Sequence, residues 1–170
     1  KAAPKAKIIR NTINRGFGAG ANQGLAKVQT EFGFCFSPDA ILSDRAMHHL
    51  VAAADQNPNT AMFGPFLQRP DGEQEMYIMG PGEFRHTKMA RQPTGQFCTW
   101  FIMGGFFLYR MTAWKSVGGF DERIFLYAED VDLSIRTTQS GFSLMIVPES
   151  EVTHIGGASS KLTWCDKWRK

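Results

Sequence analysis

Cysteine is scarce in this sequence, and what little there is cannot be paired. Cys35, Cys98 and Cys165 are odd in number and far apart, which excludes a disulfide framework and a C-x-x-C metal or redox motif. That scarcity favours a reducing, cytoplasmic compartment. No apolar run reaches the roughly 18 residues a membrane-spanning helix needs, and the basic N-terminus is unlike an export signal. No basic stripe is interleaved with aromatic residues, so nucleic acid is not an expected partner. Neither G-x-S-x-G nor a Cys/His signature occurs, which leaves a nucleophilic triad without support. An initiator methionine is also missing from Lys1-Ala2-Ala3-Pro4, which predicts that the chain begins within something larger.

What is present is the composition of a folded domain. With 170 residues, 43% hydrophobic and 21% charged, disordered and fibrous classes are excluded, and one compact domain over 1–170 is expected. A chain of this length buries roughly 70% of its extended-chain surface and can form a core without cross-links. The net charge of +3 is unevenly spread. Residues 1–15 hold five Lys/Arg and no acid, the C-terminal tail 161–170 holds four Lys/Arg against Asp166, and five carboxylates fall between Asp121 and Asp132. Basic ends suit either plain solvation or contact with an anionic membrane face or phosphorylated substrate.

Strand-like and helix-like segments alternate, which defines an α/β class. Lys7–Arg10 reads as a short strand running into the glycine-rich turn Asn14–Gly20, with a helix following over Asn22–Val28. Phe32–Phe36 reads as a buried strand stopped by Ser37-Pro38-Asp39. Residues 44–55 carry Ala46, Met47, Leu50, Val51 and Ala54 at the spacing of one buried helical face. Ala61–Leu67 is the next strand. The polar stretch 68–96, with Pro70, Gly72, Pro81, Gly82, Pro93 and Gly95, is expected to be a mobile or functional loop. Apolar residues return over Phe97–Tyr109, a short helix opens at Trp114 and closes on Gly118-Gly119, and a helix covers about Glu129–Ser140. A strand over Phe142–Val147 stops at Pro148, and Glu151–Thr153 forms a further one.

Four places on this scaffold hold residue types that carry chemistry. The Gly16, Gly18, Gly20 turn can present backbone N–H groups to a phosphate, yet it fits neither G-x-G-x-x-G nor a P-loop and serves equally as a structural turn. Asp39 follows directly on a strand, where α/β sheets present ligand-binding groups, and suits Mg²⁺ or Mn²⁺; a capping aspartate in a Ser-Pro-Asp turn is the alternative. Glu129, Asp130 and Asp132 crowd three carboxylates into four residues, which suits a general base or else complements a helix dipole. On a helix Glu129 and Asp132 share a face, while Asp130 pairs by spacing with Ser134. His154 could offer a neutral imidazole or be a satisfied structural histidine.

Taken in order, these segments resemble family 2 glycosyltransferases of the GT-A fold, in the rhamnosyltransferase-like branch that builds bacterial polysaccharides. Asn14-Arg15-Gly16-Phe17-Gly18-Ala19-Gly20-Ala21-Asn22-Gln23-Gly24 resembles the family's N-x-G-F-x-x-G-x-N-x-G segment, and Phe36-Ser37-Pro38-Asp39 its strand-ending N-P-D, with Ser37 in place of asparagine. Gly104-Gly105 with Leu108-Tyr109-Arg110 is similar to the acceptor-side glycine strand. Gly118-Gly119-Phe120-Asp121-Glu122 and Glu129-Asp130-Val131-Asp132-Leu133 resemble G-G-F-D-E and E-D-x-D-L, and His154–Ser160 the H-x-G-G-x-S-S close.

The resemblance implies a GT-A-like mixed sheet flanked by helices, with the family's first strands lying ahead of Lys7 and outside this sequence. It implies inverting transfer from a nucleotide-sugar donor, of the dTDP-rhamnose or UDP-sugar kind, to a saccharide or lipid-linked acceptor, in the cytoplasm or peripherally at the inner membrane face. Asp130 would be the base and Glu129 would orient the loop or acceptor. Asn14, Gly16, Gly18, Gly20, Asn22 and Asp39 would meet the donor; Gly104, Gly105, Asp121 and Glu122 the acceptor; and Asp39 with His154 a divalent cation. The alternatives are a non-catalytic or truncated relative serving as a binding or scaffold module, and a carboxylate-metal phosphohydrolase built on Asp39, Asp130, Asp132 and His154.

Overall fold

The computed structural model describes residues 6–73 and 94–155. Most of the 68–96 loop, the Gly156–Ser160 close and the basic tail lie outside those residues. The elements in chain order are α1 (Phe17–Leu25), β1 (Phe32–Phe36), β2 (Ala40–Leu42), α2 (Ala46–Gln56), β3 (Thr60–Gln68), β4 (Phe97–Thr99), β5 (Phe106–Arg110), α3 (Met111–Val117), α4 (Glu129–Gln139) and β6 (Ser143–His154). Among the described residues no helix is long and apolar enough to cross a membrane.

The strands form one mixed sheet in the order β1-β5-β3-β6-β2, with β4 also paired to β6. β3 and β6 run parallel, and the other pairs are antiparallel. The alternation of side chains along each strand divides the core. Phe63, Leu108, Met145 and Val147 face Leu50, Ala53 and Ala54 of α2. Their neighbours Met62, Phe107, Tyr109, Leu144 and Ile146 face the other way, packing with Leu25, Met111, Trp114, Phe120 and Leu133 from α1, α3, α4 and their connections. β3 is buried along nearly its whole length, as expected of a strand covered on both faces.

Several sequence expectations need correction. Lys7–Arg10 is exposed and forms no strand. β1 is an edge strand of the described sheet, with Gly33 its one fully buried residue, so it is less enclosed than its aromatic run suggests. α1 begins at Phe17, inside the glycine-rich stretch, because Gly16 supplies a sharp entry at φ 92° and Phe17 N–H is capped by the Phe125 carbonyl at 3.1 Å. α3 opens at Met111 rather than Trp114, directly off β5. The two strands expected around Pro148 are one, β6. Its register to β3 shifts between Val147 opposite Pro65 and Glu151 opposite Phe66, and that irregularity accommodates a proline that cannot donate to the ladder.

Candidate active site

The site is assembled where β1, β2, β5 and β6 end near one another. β1 ends at Phe36, and Asp39 is the third and last residue of the connection to β2. The β2–β6 register sets Ala40 opposite His154, which brings the imidazole to the carboxylate from the far end of the sequence. His154 Nε2 lies 3.6 Å from Asp39 Oδ2, and Ile155 N–H donates to the Asp39 carbonyl at 2.9 Å. The other Asp39 oxygen accepts from the Ser37 hydroxyl. The His154 ring meets Phe106 edge-on at 4.9 Å between centroids, so its plane is set by packing.

From Asp39 a line of bonds leads to the second carboxylate. Ser37 N–H donates to the Gly105 carbonyl at 2.7 Å, and Gly104 N–H donates to Asp130 Oδ2 at 2.9 Å. Gly105 has φ 94°, and a Cβ on Gly104 would lie 3.1 Å from the Asp130 Cβ, so this turn needs both left-handed backbone and a bare face. Phe17, whose importance sequence reasoning passed over, closes the third side: its ring would lie 3.4 Å from a Cβ on Gly104. The aromatic inside N-R-G-F was the available signal.

The three crowded carboxylates have different surroundings. Asp130 is pushed upward in pKa by burial, an effect opposed by the N–H groups of Gly104 and Val131. Glu129 is pushed up to about 7, first by burial and then by the neighbouring Asp130 charge, and its Oε2 is buried with no hydrogen-bond partner. Asp132 instead pairs with Arg136 at 2.6 Å, and that guanidinium also donates to the Val117 and Gly119 carbonyls at the C-terminal end of α3. The spacing of Asp130 and Ser134 is used as a pair: Ser134 Oγ accepts from Ile102 N–H at 3.4 Å while Asp130 holds Gly104, so α4 grips one segment twice. Immediately ahead of α4, Tyr127 and Ala128 sit at φ 65° and 69°, a left-handed conformation costly for side-chain-bearing residues.

Of the remaining expected site residues, Asn22 and Glu122 face each other. Asn22 donates to the Phe120 carbonyl and to Glu122, and accepts from Phe120 N–H. Glu122 also pairs with Arg15 at 2.6 Å. Asp121 is held by the Arg123 guanidinium, whose bonds pull its carboxyl down to about 2. Asn14 accepts from Gly16 N–H at 3.0 Å, Gly18 lies against Phe120, and Gly20 borders open space. The structure therefore gathers Asp39, His154, Gly104, Gly105, Asp130 and Glu129 in one neighbourhood, whereas Asn22, Asp121 and Glu122 take hydrogen-bond partners outside the Gly104-Gly105 turn.

Among the described residues no group of three or more His, Cys, Asp or Glu is placed to hold a metal. Asp39 and His154 form a smaller set, one carboxylate and one imidazole. It fits a hard divalent ion that takes its other ligands from water and phosphate.

A mixed sheet covered on both faces, with one carboxylate just past a strand and a second in the first turn of a helix, is the layout of a GT-A-type glycosyltransferase domain. The chain belongs to glycosyl transferase family 2, whose model matches residues 1–118. That match takes in Asn14–Asn22, Asp39 and Gly104-Gly105 and ends before Glu129, Asp130 and His154. The chain is similar to the N-acetylglucosaminyl-diphospho-decaprenol L-rhamnosyltransferase of Mycobacterium tuberculosis, at 29% identity over 89% of this chain and 59% of that protein. A shorter likeness, 39% identity over 30% of the chain and 19% of the relative, is to rhamnosyltransferase WbbL of Escherichia coli. Among solved structures, GalNAc-T7 with UDP, GalNAc and Mn²⁺ shares the fold, with a TM-score of 0.68 at 18% identity, covering 89% of this chain and 32% of that one. The chain thus spans about 59% of the length of the mycobacterial relative.

Proposed function

We propose that this domain carries out inverting transfer of a sugar from a nucleotide-sugar donor to a hydroxyl of a glycan or lipid-linked acceptor. The observation that carries the reading is the line Asp39–Ser37–Gly105–Gly104–Asp130, which sets a cation-type carboxylate and a buried carboxylate of raised basicity on either side of one glycine turn. The acceptor oxygen forms its bond to the anomeric carbon as the bond from that carbon to the donor phosphate breaks, and Asp130 takes the hydroxyl proton. A base buried at this site holds a proton more strongly than an exposed aspartate, which favours the transfer near neutral pH. Glu129 lies next to it in sequence and is buried, its pKa pushed up to about 7, so near neutral pH it is partly protonated beside the base. A divalent cation between Asp39 and His154 would offset the charge left on the diphosphate.

The donor is a dTDP-rhamnose-like or UDP-linked sugar. The rhamnosyltransferase names of the relatives support the first, and the UDP and Mn²⁺ in the GalNAc-T7 structure support the second and the cation. The decaprenyl diphosphate in the mycobacterial relative's name supports an acceptor presented at a membrane face, with the domain acting peripherally on the cytoplasmic side. One observation favours a second reading, a binding module without transfer: both Asp130 oxygens already accept backbone N–H bonds.

The test is calorimetric titration with UDP and dTDP in Mn²⁺, together with a sugar-transfer assay. Asp39→Ala should abolish the Mn²⁺-dependent nucleotide affinity. Asp130→Asn should lower transfer by a factor of about 10² to 10⁴ while leaving that affinity within twofold. Equal loss of both in Asp130→Asn identifies it as a structural or ligand-holding residue and overturns its role as base.

A further inference from the structure

The glycine-rich segment that opens α1 is expected from the sequence to meet the donor, but its contacts lead elsewhere. A Cβ on Gly16 would lie 2.1 Å from the Phe125 carbonyl oxygen, and the same oxygen accepts from Phe17 N–H at 3.1 Å. Gly16 has φ 92° and ψ 173°, a region open essentially to glycine alone. Two residues on, Gly18 lies against Phe120, where a Cβ would come within 2.9 Å of the phenylalanine Cβ. Asn22 then brackets Phe120 by accepting from its N–H and donating to its carbonyl, both at 2.9 Å, and donates to Glu122 at 3.1 Å. A primary amide offers a donor and an acceptor on two atoms of one plane, which matches the N–H and carbonyl of a single residue as no carboxylate can.

These contacts fall on one stretch of chain, Phe120–Phe125, which runs directly into the two left-handed residues Tyr127 and Ala128 and then into Glu129 and Asp130. At its far end the stretch is tied by Asp130 to Gly104. A non-glycine left-handed pair persists only where surrounding structure over-determines it. α1 supplies anchors on one side of that pair, at Phe120, Glu122 and Phe125, and Gly104 supplies the anchor on the other.

We propose that Gly16 and Asn22 are positioning residues: through Phe125 and Phe120 they hold the strained Tyr127-Ala128 turn and so fix where the carboxylates of Glu129 and Asp130 stand. This inference assigns the N-x-G-F-x-x-G-x-N segment to the carboxylate side of the site rather than to the donor. Its catalytic consequence rests on the transferase reading given above, but its structural content does not.

The test uses the intact chain and the variants Gly16→Ala and Asn22→Asp. The first intrudes on the Phe125 carbonyl. The second keeps the shape of the side chain but removes its donation to the Phe120 carbonyl. Three readouts are taken on each: the Glu129 carboxyl titration by ¹³C NMR, assigned by its loss in Glu129→Gln; Mn²⁺-dependent UDP or dTDP affinity by calorimetry; and kcat and donor KM for transfer. The proposal expects the Glu129 midpoint to move by at least half a pH unit, kcat to fall tenfold or more, and nucleotide affinity and donor KM to stay within twofold. Tenfold weaker nucleotide affinity with an unmoved Glu129 midpoint makes the segment a donor contact and overturns the proposal. An unmoved midpoint with parental kinetics overturns it equally. Should Gly16→Ala not fold, the isosteric Asn22→Asp decides alone. Should the parent chain transfer no sugar, the transferase reading fails, and the Glu129 midpoint still decides whether the clamp exists.

Discussion

At the scale of single residues, Glu129 stands out among the described residues as an uncomfortably buried carboxyl. Its carboxyl is buried, one oxygen has no partner, and its pKa is pushed up to about 7 from an ordinary 4.5. The native state therefore holds a proton that the unfolded chain has released over that interval, so stability is greatest below pH 4.5 as far as this group is concerned. It falls as pH rises toward 7 and is level above it. The span corresponds to at most about 3.5 kcal/mol at roughly 1.4 kcal/mol per pH unit. Glu129→Gln removes the titration while keeping the shape. Thermal melts at pH 5 and pH 8 should show the parent losing stability relative to the variant as pH rises; parallel behaviour of the two would mean that Glu129 titrates normally. A group that destabilises the fold in its charged form is what a site for proton handling would contain, whereas the helix-dipole explanation predicts a lowered pKa at that position.

At the scale of elements, α3 is held at its end by a neighbour rather than by its own residues. Arg136 of α4, itself oriented by Asp132, donates to the Val117 and Gly119 carbonyls where α3 stops. Arg136→Ala strips partners from both carbonyls and from Asp132, and is expected to cost about 1–3 kcal/mol in urea unfolding, more than an exposed ion pair would. A loss under half a kilocalorie would show that water replaces the guanidinium without penalty. The same pair shows what sequence spacing can and cannot reveal. Asp132 and Arg136 are four apart and their pairing is legible, but the α3 carbonyls they serve are set by packing. α4, which buries Leu133 together with Glu129, Ser134 and Thr137, has no regular apolar face to read. By contrast, α2 follows in part from its apolar periodicity, with Ala46, Leu50 and Ala54 buried as spaced but Met47 and Val51 of the same expected face exposed, and β3 follows from its unbroken apolar run. The start of α1 does not, because the cap that begins it is the Phe125 carbonyl, distant in sequence. Nor does the continuity of β6 through Pro148, which depends on how β3 alongside it shifts register. Asp39 and His154 are each legible as candidates from residue type and position, but only the family resemblance joins them in one cation site. Their proximity comes from β2, a strand of three residues with no signal of its own, whose pairing with β6 sets the register.

At the scale of the whole molecule, the sheet separates a supporting face from a working face. The α2 side packs Phe63 and Leu108, with Phe32 and Phe34 at its margin, against Leu50, Ala53 and Ala54. The opposite side carries a chain of aromatic contacts: Phe107 to Phe120 at 6.0 Å, Phe120 to Trp114 at 5.7 Å and Phe120 to Phe17 at 5.6 Å between centroids. Phe17 is the ring that borders the Gly104-Gly105 turn, so on this side the core and the site wall are one packed cluster. Close-packed interiors transmit displacement rather than absorb it. Phe63→Leu and Phe107→Leu remove similar volume from fully buried positions on the two faces, and each should cost roughly 1–3 kcal/mol. Their effects on the site should nevertheless differ. Loosening Phe107 frees Phe120, the residue bracketed by Asn22, and should shift the ¹³C resonances of the Glu129 and Asp130 carboxyls. Loosening Phe63 should leave those resonances where they are. Equal shifts from both variants would mean that the sheet couples its two faces and that the site is held by the fold at large. A shift confined to Phe107→Leu would place the control of the carboxylates in the aromatic cluster between α1 and the turn before α4.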